Sequence, residues 1–487
     1  MKQILTFLPV LLTLLSSLSL TAQNNRVQRY IETLKKDTLF QNSVTGIMVM
    51  DSRGRTVAQW NPDMPLLTAS TMKTISTGIA LKVLGPDYQF ATKLAYSGYI
   101  QNGVLYGDLF IVGGADPTLG SQDTLAIPTD SLFMGWKMAL DDAGIKRING
   151  NVVADDRFLV DEIVPTSWSW SNIGPSYGHS ASGLSFSENR QYFTFVPGLN
   201  AGDNVHLKRV YPTIPGMEYQ NLLTTGSNHT GNRTAYYTTD LTRIGKFRGS
   251  MAAGADSVLV VTSSKFPHLS CAYEFREYLV NKGVLSNPAI LDAKEFDAPS
   301  LGELTVITET LSPPLTSIIN VTNRISNNFY AEVLLKMIGK QMTGVGSYDS
   351  SRVAVIREFR DMGLNTTGFS QADGSGLSRM NLVSARFFCN YYAKMRETDI
   401  FDYFFESLPQ PGGPGTLRTV LADEKEADKQ KIHAKSGSLG NVRCYAGYVE
   451  RKPGEFLYFA ILVNNYSART AQMQVGIEGF MRELTKY

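Results

Sequence analysis

Cysteines and runs of like charge are scarce in this chain of 487 residues. Its three cysteines, Cys271, Cys389 and Cys444, lie far apart and form no C-x-x-C pair. This spacing excludes a disulfide framework and a thiolate zinc site; it leaves room for one disulfide at most and favours three free, buried thiols. Lys and Arg total 46 against 44 Asp and Glu, and the basic residues form no run. A chain so balanced has no field that attracts nucleic acid, so we expect no nucleic-acid partner.

Long apolar runs are absent after residue 20. Before it, Met1-Lys2 precedes an apolar stretch from Ile4 to Leu20, and Thr21-Ala22 follows. This layout is typical of a secretory signal peptide, so we predict a signal peptide at residues 1–22 and export of the protein. The alternative is an uncleaved membrane anchor, because about 17 apolar residues can just span a bilayer. The small and hydroxyl residues at the end of the stretch favour cleavage, after which we expect no stable membrane anchor.

The rest of the chain has the composition of a large globular protein, with 43% hydrophobic and 18% charged residues. Alternating apolar residues around Asp51-Ser52-Arg53-Gly54 predict a hairpin, and the pattern predicts a helix from about residue 71 to 83. Between about residues 86 and 305, short strand-like segments dominate. The pattern in that region predicts helices only at 129–143 and 270–282.

Helices return in the last third of the chain, where they are predicted at 317–340, 350–362 and 381–396. Strands are predicted at 443–450 and 456–464, and a final helix at 466–486. Strands near both ends with helices between them predict one α/β domain that a long β-rich insertion interrupts.

The chain has a single S-x-x-K sequence, Ser70-Thr71-Met72-Lys73, at the predicted start of the first helix. A serine hydroxyl is a poor nucleophile unless a base lies within hydrogen-bond reach. Because positions i and i+3 share a helix face, Lys73 can reach the Ser70 hydroxyl. A lysine acts as a base only when its pKa is lowered, for example by burial beside another cation. The alternative for this motif alone is a serine N-cap followed by a solvent-facing lysine.

Two further motifs follow in the sequence. Ser326-Asn327-Asn328 combines a hydroxyl for proton transfer with a carboxamide, although a helix cap explains it equally well when it is taken alone. Lys435-Ser436-Gly437-Ser438 places a cation and hydroxyls beside a glycine just before a predicted strand, which suits a carboxylate but is also compatible with a polar turn. In this order, S-x-x-K, S-x-N and K-[ST]-G form the signature of the penicillin-recognising serine acyltransferases, which argues against coincidence.

The chain also resembles one family within that class. The gap between Lys73 and Ser326 is far longer than in single-domain β-lactamases. With this insertion, the chain resembles the class C low-molecular-mass penicillin-binding proteins, the D-alanyl-D-alanine carboxypeptidase/endopeptidase family. The segments that carry the resemblance are Leu67–Lys73, Gly113–Leu119, Ser180–Asn189, Asp373–Arg379 and the stretch around Lys435.

The resemblance implies an α/β fold: a transpeptidase/β-lactamase-like domain, with a sheet flanked by helices, and two inserted, mostly β domains. We therefore expect the first part of a penicillin-binding domain at 23–85, an insertion of two β-rich subdomains at 86–304, and the second part of the penicillin-binding domain at 305–487. The resemblance also implies a periplasmic location, peptidoglycan stem peptides as substrates and β-lactam antibiotics as covalent inhibitors.

The resemblance assigns catalytic roles to four residues. Ser70 attacks the carbonyl of the penultimate D-alanine and becomes acylated, while Lys73 takes its proton. Ser326 passes a proton to the leaving amine, and Asn328 holds the substrate amide. Asn327, between them, stands where Asp is common in the family.

The resemblance assigns substrate binding to the third motif. Lys435 supplies positive potential, and Ser436 and Ser438, on either side of Gly437, bind the terminal carboxylate. Ser436 replaces the threonine of many relatives but keeps the hydroxyl. We expect no metal and no organic cofactor. The five histidines show no ligand spacing and are expected to be structural: His179, His206, His229, His268 and His433.

Two other functions share parts of this pattern. A secreted serine β-lactamase has the same three motifs but must also deacylate quickly. Glu277-Tyr278-Leu279-Val280-Asn281 resembles the water-activating motif of class A β-lactamases, but it precedes the S-x-N motif instead of following it. A non-catalytic wall-binding protein would keep the pocket for recognition, and the presence of Ser70, Lys73 and Ser326 together argues against it.

Overall fold

The computed structural model describes residues 26–285 and 288–487, so the predicted signal peptide at 1–22 lies outside the described residues. The chain divides into two compact units. Of the described residues, 26–78, Ile319–Ser326 and Ile356–Tyr487 form the first unit. The second unit comprises Ile79–Ile318 and Asn327–Val355.

The described α-helices are labelled α1 to α12 in chain order. They cover 26–36, Thr38–Gln41, Lys73–Leu84, Thr129–Asp142, Pro267–Asn281, Leu315–Arg324, Asn328–Thr343, Tyr348–Asp361, Ala385–Arg396, Phe401–Ser407, Glu426–Lys429 and Thr470–Thr485. Within the described residues, short 3₁₀ helices cover Ala69–Met72, Trp170–Asn172, Ser187–Asn189 and Leu301–Glu303. Among the described residues, no helix has both the length and the apolar character needed to cross a membrane.

The strands are labelled β1 to β22. They cover Val44–Asp51, Thr56–Trp60, Leu66–Leu67, Ala91–Tyr96, Tyr99–Gln101, Val104–Tyr106, Leu109–Val112, Arg147–Asn149, Val152–Asp155, Arg190–Val196, His206–Tyr211, Glu218–Gly226, Ala235–Tyr237, Ile244–Ala252, Val258–Ser263, Ile290–Asp292, Thr305–Leu311, Phe369–Ser370, Leu382–Val383, Ile432–Leu439, Val442–Lys452 and Glu455–Asn464.

The first unit is built on a five-stranded antiparallel sheet in the order β2-β1-β22-β21-β20. Both faces of its central strands are buried, as their nearly continuous apolar sequences require. Ile31 of α1 and Phe480 of α12 pack with Ile461 on one face. On the other face, the Cys389 thiol of α9 donates to the backbone oxygen of Met48. Helices therefore flank the sheet on both sides, and β20 is left as an edge strand.

The second unit contains several separate sheets. A five-stranded sheet in the order β16-β9-β7-β4-β17 packs against α4 and α5 around a core that includes Phe133, Trp136 and Phe275. Two three-stranded sheets, β11-β10-β15 and β12-β14-β13, share an aromatic core that includes Phe193 and Phe247. The helices predicted at 129–143 and 270–282 are confirmed by α4 and α5.

The single helix predicted at 317–340 is wrong. The chain instead forms α6 and α7, which are separated at 325–327. Ser326 interrupts the helix because its φ is +63°, a left-handed backbone conformation that an α-helix does not contain. Asn327 then caps α7, since its side-chain oxygen accepts a hydrogen bond from the backbone N–H of Tyr330 at 3.2 Å. Local capping chemistry thus overrides a continuous apolar pattern.

Candidate active site

The S-x-x-K motif lies in a strained turn that leads directly into α3. Ala69–Met72 form the 3₁₀ helix, and α3 begins at Lys73. Ala69 has a φ of +44°, and such a conformation costs a residue with a side chain about 1–3 kcal/mol. Strain of this kind is found where the surrounding structure holds a functional group in place. Here it immediately precedes Ser70, whose side chain is partly exposed.

Lys73 is completely buried and points at the Ser70 hydroxyl. Its Nζ lies 2.9 Å from Ser70 Oγ, within hydrogen-bonding distance. The same Nζ donates to the backbone oxygen of Ser375 at 2.7 Å. This geometry contradicts the simple alternative of a serine N-cap followed by a solvent-facing lysine, and no side chain caps this turn. The hydroxyl and the amine that the sequence predicts as nucleophile and base are therefore in direct contact.

A loop of the first unit, residues 373–378, contacts Lys73 through the backbone oxygen of Ser375. The buried Asp373 carboxylate accepts hydrogen bonds from the backbone N–H groups of Gly376 at 2.7 Å and Ser378 at 2.6 Å, which closes the loop. A side chain on Gly376 would lie 1.8 Å from the backbone oxygen of Ala69, so this position requires glycine. The loop presents the Ser375 oxygen to Lys73. The segment Asp373–Arg379 carries part of the family resemblance, but its sequence alone indicates no role for it.

The third motif lies within the edge strand β20 and not in a turn before a strand. Strand β20 runs close to the turn that carries Ser70, because a Cβ on Gly437 would lie 2.6 Å from the backbone oxygen of Thr68. Along the strand, Ser436 is buried and Ser438 is exposed. The motif is therefore held against the backbone of the nucleophile's turn.

Lys435 is buried in the same region of the first unit. Its Nζ donates to the backbone oxygen of Ser436 at 2.8 Å. Burial lowers the pKa of Lys435 well below its ordinary value, and the positive charges of Lys73 and then Arg443 lower it further. Two lysines whose charges repel each other in a buried site release a proton more easily than isolated lysines do. The electrostatic repulsion between the two ammonium groups therefore disfavours the doubly charged state of this pair.

We expect that Gly437→Ala separates β20 from the turn that carries Ser70. The added Cβ would lie 2.6 Å from Thr68 O and 3.0 Å from Ser70 N, and neither backbone atom can yield easily. Because a displacement of about 1 Å in an active site can cost roughly 100-fold in rate, acylation by penicillin should fall by that order. The matched control is Gly440→Ala, whose Cβ would meet only the Arg379 guanidinium at 3.6 Å. Equal acylation rates for the two variants would contradict this packing.

The S-x-N motif crosses the division between the two units. Ser326 belongs to the first unit, together with Ser70, Lys73 and Lys435. Asn328 belongs to the second unit, where its side-chain amide donates to the backbone oxygen of Tyr177 at 2.9 Å. Both side chains are partly exposed.

The middle residue of this motif is held by a side chain that sequence analysis missed. The Asn327 amide donates to Glu188 Oε2 at 2.9 Å, and both residues are about nine-tenths buried or more. Glu188 lies in the quoted segment Ser180–Asn189, but nothing in the sequence pattern indicated that this segment contacts the S-x-N motif.

One histidine has acidic neighbours that sequence spacing did not indicate. Among the described residues, Asp156, His268 and Asp292 form the one group close enough together to hold a metal ion. His268 Nε2 lies 3.0 Å from Asp292 Oδ2, and the Lys294 ammonium lies 3.2 Å from Asp156 Oδ2. The lysine already supplies a cation to this cluster, which belongs to the second unit.

Comparisons with known proteins agree with this geometry. Residues 27–484 match the model of the D-Ala-D-Ala carboxypeptidase 3 (S13) family. The chain is 26% identical over 461 residues to a D-alanyl-D-alanine carboxypeptidase of Actinomadura sp. (strain R39), and the alignment covers 92% of this chain and 82% of that protein.

Solved structures have the same fold. Penicillin binding protein 4 (dacB) from Haemophilus influenzae matches with a TM-score of 0.78 at 23% identity, over 92% of this chain and 98% of that chain. A structure of that protein in complex with a novel β-lactam matches with a TM-score of 0.74 at 22% identity, over the same shares of the two chains. The predicted α/β fold and the predicted carboxypeptidase activity are confirmed, and the β-lactamase and the non-catalytic wall-binding protein are the less well supported alternatives. The chain belongs to the D-Ala-D-Ala carboxypeptidase 3 (S13) family, and it is a serine-type D-alanyl-D-alanine carboxypeptidase of the penicillin-binding protein class.

Proposed function

We propose that this carboxypeptidase removes the terminal D-alanine of peptidoglycan stem peptides through an acyl-enzyme on Ser70. The observation that carries the proposal is the 2.9 Å contact between the buried Lys73 Nζ and Ser70 Oγ. Neutral Lys73 takes the Ser70 proton as Oγ attacks the carbonyl of the penultimate D-alanine. The bond between that carbonyl carbon and the leaving nitrogen then breaks. Water attacks the ester in a second step and releases the shortened peptide.

The leaving D-alanine must receive a proton before it departs as an amine. Ser326 passes on the proton that Lys73 took from Ser70: its hydroxyl donates a proton to the leaving nitrogen and takes one from Lys73, which becomes neutral again. Ser326 lies at a left-handed break between two helices. Asn328, two residues later, holds the substrate amide. A hydroxyl and a carboxamide on one short segment can thus act on the two sides of the bond that breaks.

Strand β20 binds the charged end of the substrate. Lys435 gives the site positive potential, and the hydroxyls of Ser436 and Ser438 bind the terminal carboxylate. The backbone N–H groups of Ser70 and Ser438 form the oxyanion hole, in which one donor is typically worth about 3–4 kcal/mol in the transition state. The close approach at Gly437 supports this role, because it brings the strand's backbone near Ser70 N.

β-Lactams inhibit the enzyme by the same first step. Ser70 Oγ bonds to the lactam carbonyl carbon, the lactam C–N bond breaks, and the ring nitrogen takes the proton. The related protein solved with a β-lactam supports this part of the proposal. Cleavage of a peptide cross-link after D-alanine uses the same chemistry with a different leaving amine. We therefore include endopeptidase activity in the proposed function. The predicted signal peptide at 1–22 supports work in the periplasm.

The test combines two assays on the full mature chain. The protein is labelled with a fluorescent penicillin, and D-alanine release is measured with an N-acylated peptide that ends in D-Ala-D-Ala. We expect stable labelling and D-alanine release that penicillin blocks. Rapid loss of the label with hydrolysed penicillin in solution would indicate a β-lactamase. Absence of both labelling and D-alanine release would indicate a binding protein.

We expect that Lys435→Ala shifts the alkaline-going rise of the acylation rate to higher pH. Lys73 would lose a neighbouring cation, and its proton would then be harder to remove. Acylation by peptides with a free terminal carboxylate should also fall. The measurement is the rate of penicillin acylation against pH, with Lys452→Ala, an exposed lysine at the end of β21, as the control. An unchanged profile in Lys435→Ala would contradict the coupling of the two lysines.

A further inference from the structure

Glu188 occupies an unusual stretch of backbone in the second unit. Ser187, Glu188 and Asn189 have φ values of +53°, +52° and +50°, so three consecutive residues with side chains are left-handed. Each such residue costs about 1–3 kcal/mol and persists only where the surrounding contacts hold it. The stretch is buried: Ser187 is 1% exposed, Glu188 6% and Asn189 0%.

The strained turn points the Glu188 carboxylate at three partners. Oε1 accepts a hydrogen bond from Ser121 Oγ at 2.8 Å, and Oε2 accepts one from the Asn327 amide at 2.9 Å. The Arg190 guanidinium lies 3.3 Å from Oε2. A buried carboxylate with a cation and two donors is well satisfied, and hydrogen bonds to a charged acceptor are roughly twice as strong as neutral ones.

These contacts fix the orientation of Asn327. Its amide nitrogen is held by Glu188, so its oxygen faces the start of α7 and accepts from the N–H of Tyr330. The same segment of chain also contacts the next residue, because the backbone oxygen of Tyr177 accepts from the Asn328 amide. His179 adds a third contact, since its ring stacks on Phe329 with 5.3 Å between centroids. The segment from 177 to 190 therefore holds three successive residues at the start of α7.

We propose that Glu188 is a positioning residue for the S-x-N motif. Its carboxylate fixes the Asn327 side chain, and through it the backbone that carries Ser326 and Asn328 on either side. This inference rests on the proposed function of Ser326 and Asn328. Glu188 does not touch the reacting atoms in this account; it acts through Asn327, and a loss of alignment of about 1 Å would cost roughly 100-fold in rate.

The test exchanges the hydrogen-bond donor and acceptor between Asn327 and Glu188. Asn327→Asp keeps an oxygen to cap α7, but it places a second carboxylate where an amide donor lies 2.9 Å from Glu188 Oε2. We expect penicillin acylation to slow by about 10- to 100-fold. The double variant Glu188→Gln with Asn327→Asp again has one hydrogen-bond donor and one acceptor. The donor amide is now at position 188, and the charged carboxylate is at position 327. We expect acylation by the double variant to recover most of the loss.

The pH dependence of the acylation rate distinguishes a positioning role of Glu188 from a general loss of stability. Two adjacent carboxylates share a proton when the pH falls, so the deficit of Asn327→Asp relative to the wild type should shrink at acidic pH. The other ionisable groups near this site are the same in both proteins: His179, Arg190, Tyr192, Tyr330, Asp116 and Asp123. Taking the ratio of the two rates at each pH removes their titration from the comparison.

Each outcome decides the proposal. Wild-type acylation in Asn327→Asp at every pH would overturn it, and so would a double variant that is as slow as Asn327→Asp although circular dichroism shows both to be folded. If Asn327→Asp does not fold, Glu188→Ala is used instead. A full acylation rate in that variant overturns the proposal, and a slow rate in protein that circular dichroism shows to be folded at the assay temperature supports it. A Ser70→Ala control that still becomes labelled would refute the proposed function itself, which is a distinguishable failure.

Discussion

Replacing Ser70 with alanine is expected to abolish penicillin acylation and D-alanine release while the protein stays folded. The hydroxyl is the nucleophile in this account, and removal of a nucleophile commonly costs on the order of 10⁴-fold or more in rate. The fold should tolerate the change because the Ser70 side chain is partly exposed. Lys73 keeps its hydrogen bond to the Ser375 oxygen.

Two measurements on Ser70→Ala check this expectation. The acylation rate is measured with fluorescent penicillin, and the melting temperature is measured by circular dichroism. Ser52→Ala, in the exposed turn between β1 and β2, is the matched control and should behave as the wild type. Continued acylation of a folded Ser70→Ala protein would assign the nucleophile to another residue.

Replacing Lys73 with methionine is expected to slow acylation by about 10²- to 10⁴-fold, the usual contribution of a general base. Methionine keeps an apolar stem of similar length in a site that is completely buried. The substitution also removes a charge that lowers the pKa of Lys435, so that pKa should rise. Loss of a charge beside another cation offsets part of the cost of losing the hydrogen bond from Lys73 Nζ to the Ser375 oxygen.

Stopped-flow acylation with penicillin measures the Lys73→Met effect directly. Lys452→Met, at an exposed position on β21, controls for the loss of one lysine. The acylation rate should remain low from pH 6 to pH 10 in Lys73→Met, because no other described side chain is seen to contact Ser70 Oγ as a base. An alkaline-going recovery to the wild-type rate would indicate that a different group takes the proton.

Much of the first unit's sheet could be predicted from the sequence. The hairpin around Asp51-Ser52-Arg53-Gly54 and the strands at 443–450 and 456–464 are confirmed by β1, β2, β21 and β22. These strands have alternating or continuous apolar patterns because one or both of their faces are buried, and such patterns can be read directly from the sequence. The break between α6 and α7 could not be predicted, because it depends on the backbone of Ser326 and on the partners of Asn327.

The candidate active site, like the fold, could be predicted only in part from the sequence. Ser70 and Lys73 could be predicted to meet, since helical spacing brings positions i and i+3 together. Their contact is present at 2.9 Å. The roles of Ser375 and Glu188 could not be predicted from the sequence, because each depends on a tertiary contact. The backbone oxygen of Ser375 accepts a hydrogen bond from Lys73, and the Glu188 carboxylate accepts one from Asn327. Those contacts join segments that lie more than a hundred residues apart in the chain.

Isolation of the acyl-enzyme shows directly whether Ser70 is the nucleophile. The mature protein is incubated with penicillin, quenched in acid and digested, and the modified peptide is sequenced by tandem mass spectrometry. We expect a single adduct with the full mass of the antibiotic, on Ser70, and no such adduct in protein first saturated with an unlabelled β-lactam of different mass. An adduct on any other residue, or none in protein that releases D-alanine, would contradict a serine acyl-enzyme at this site.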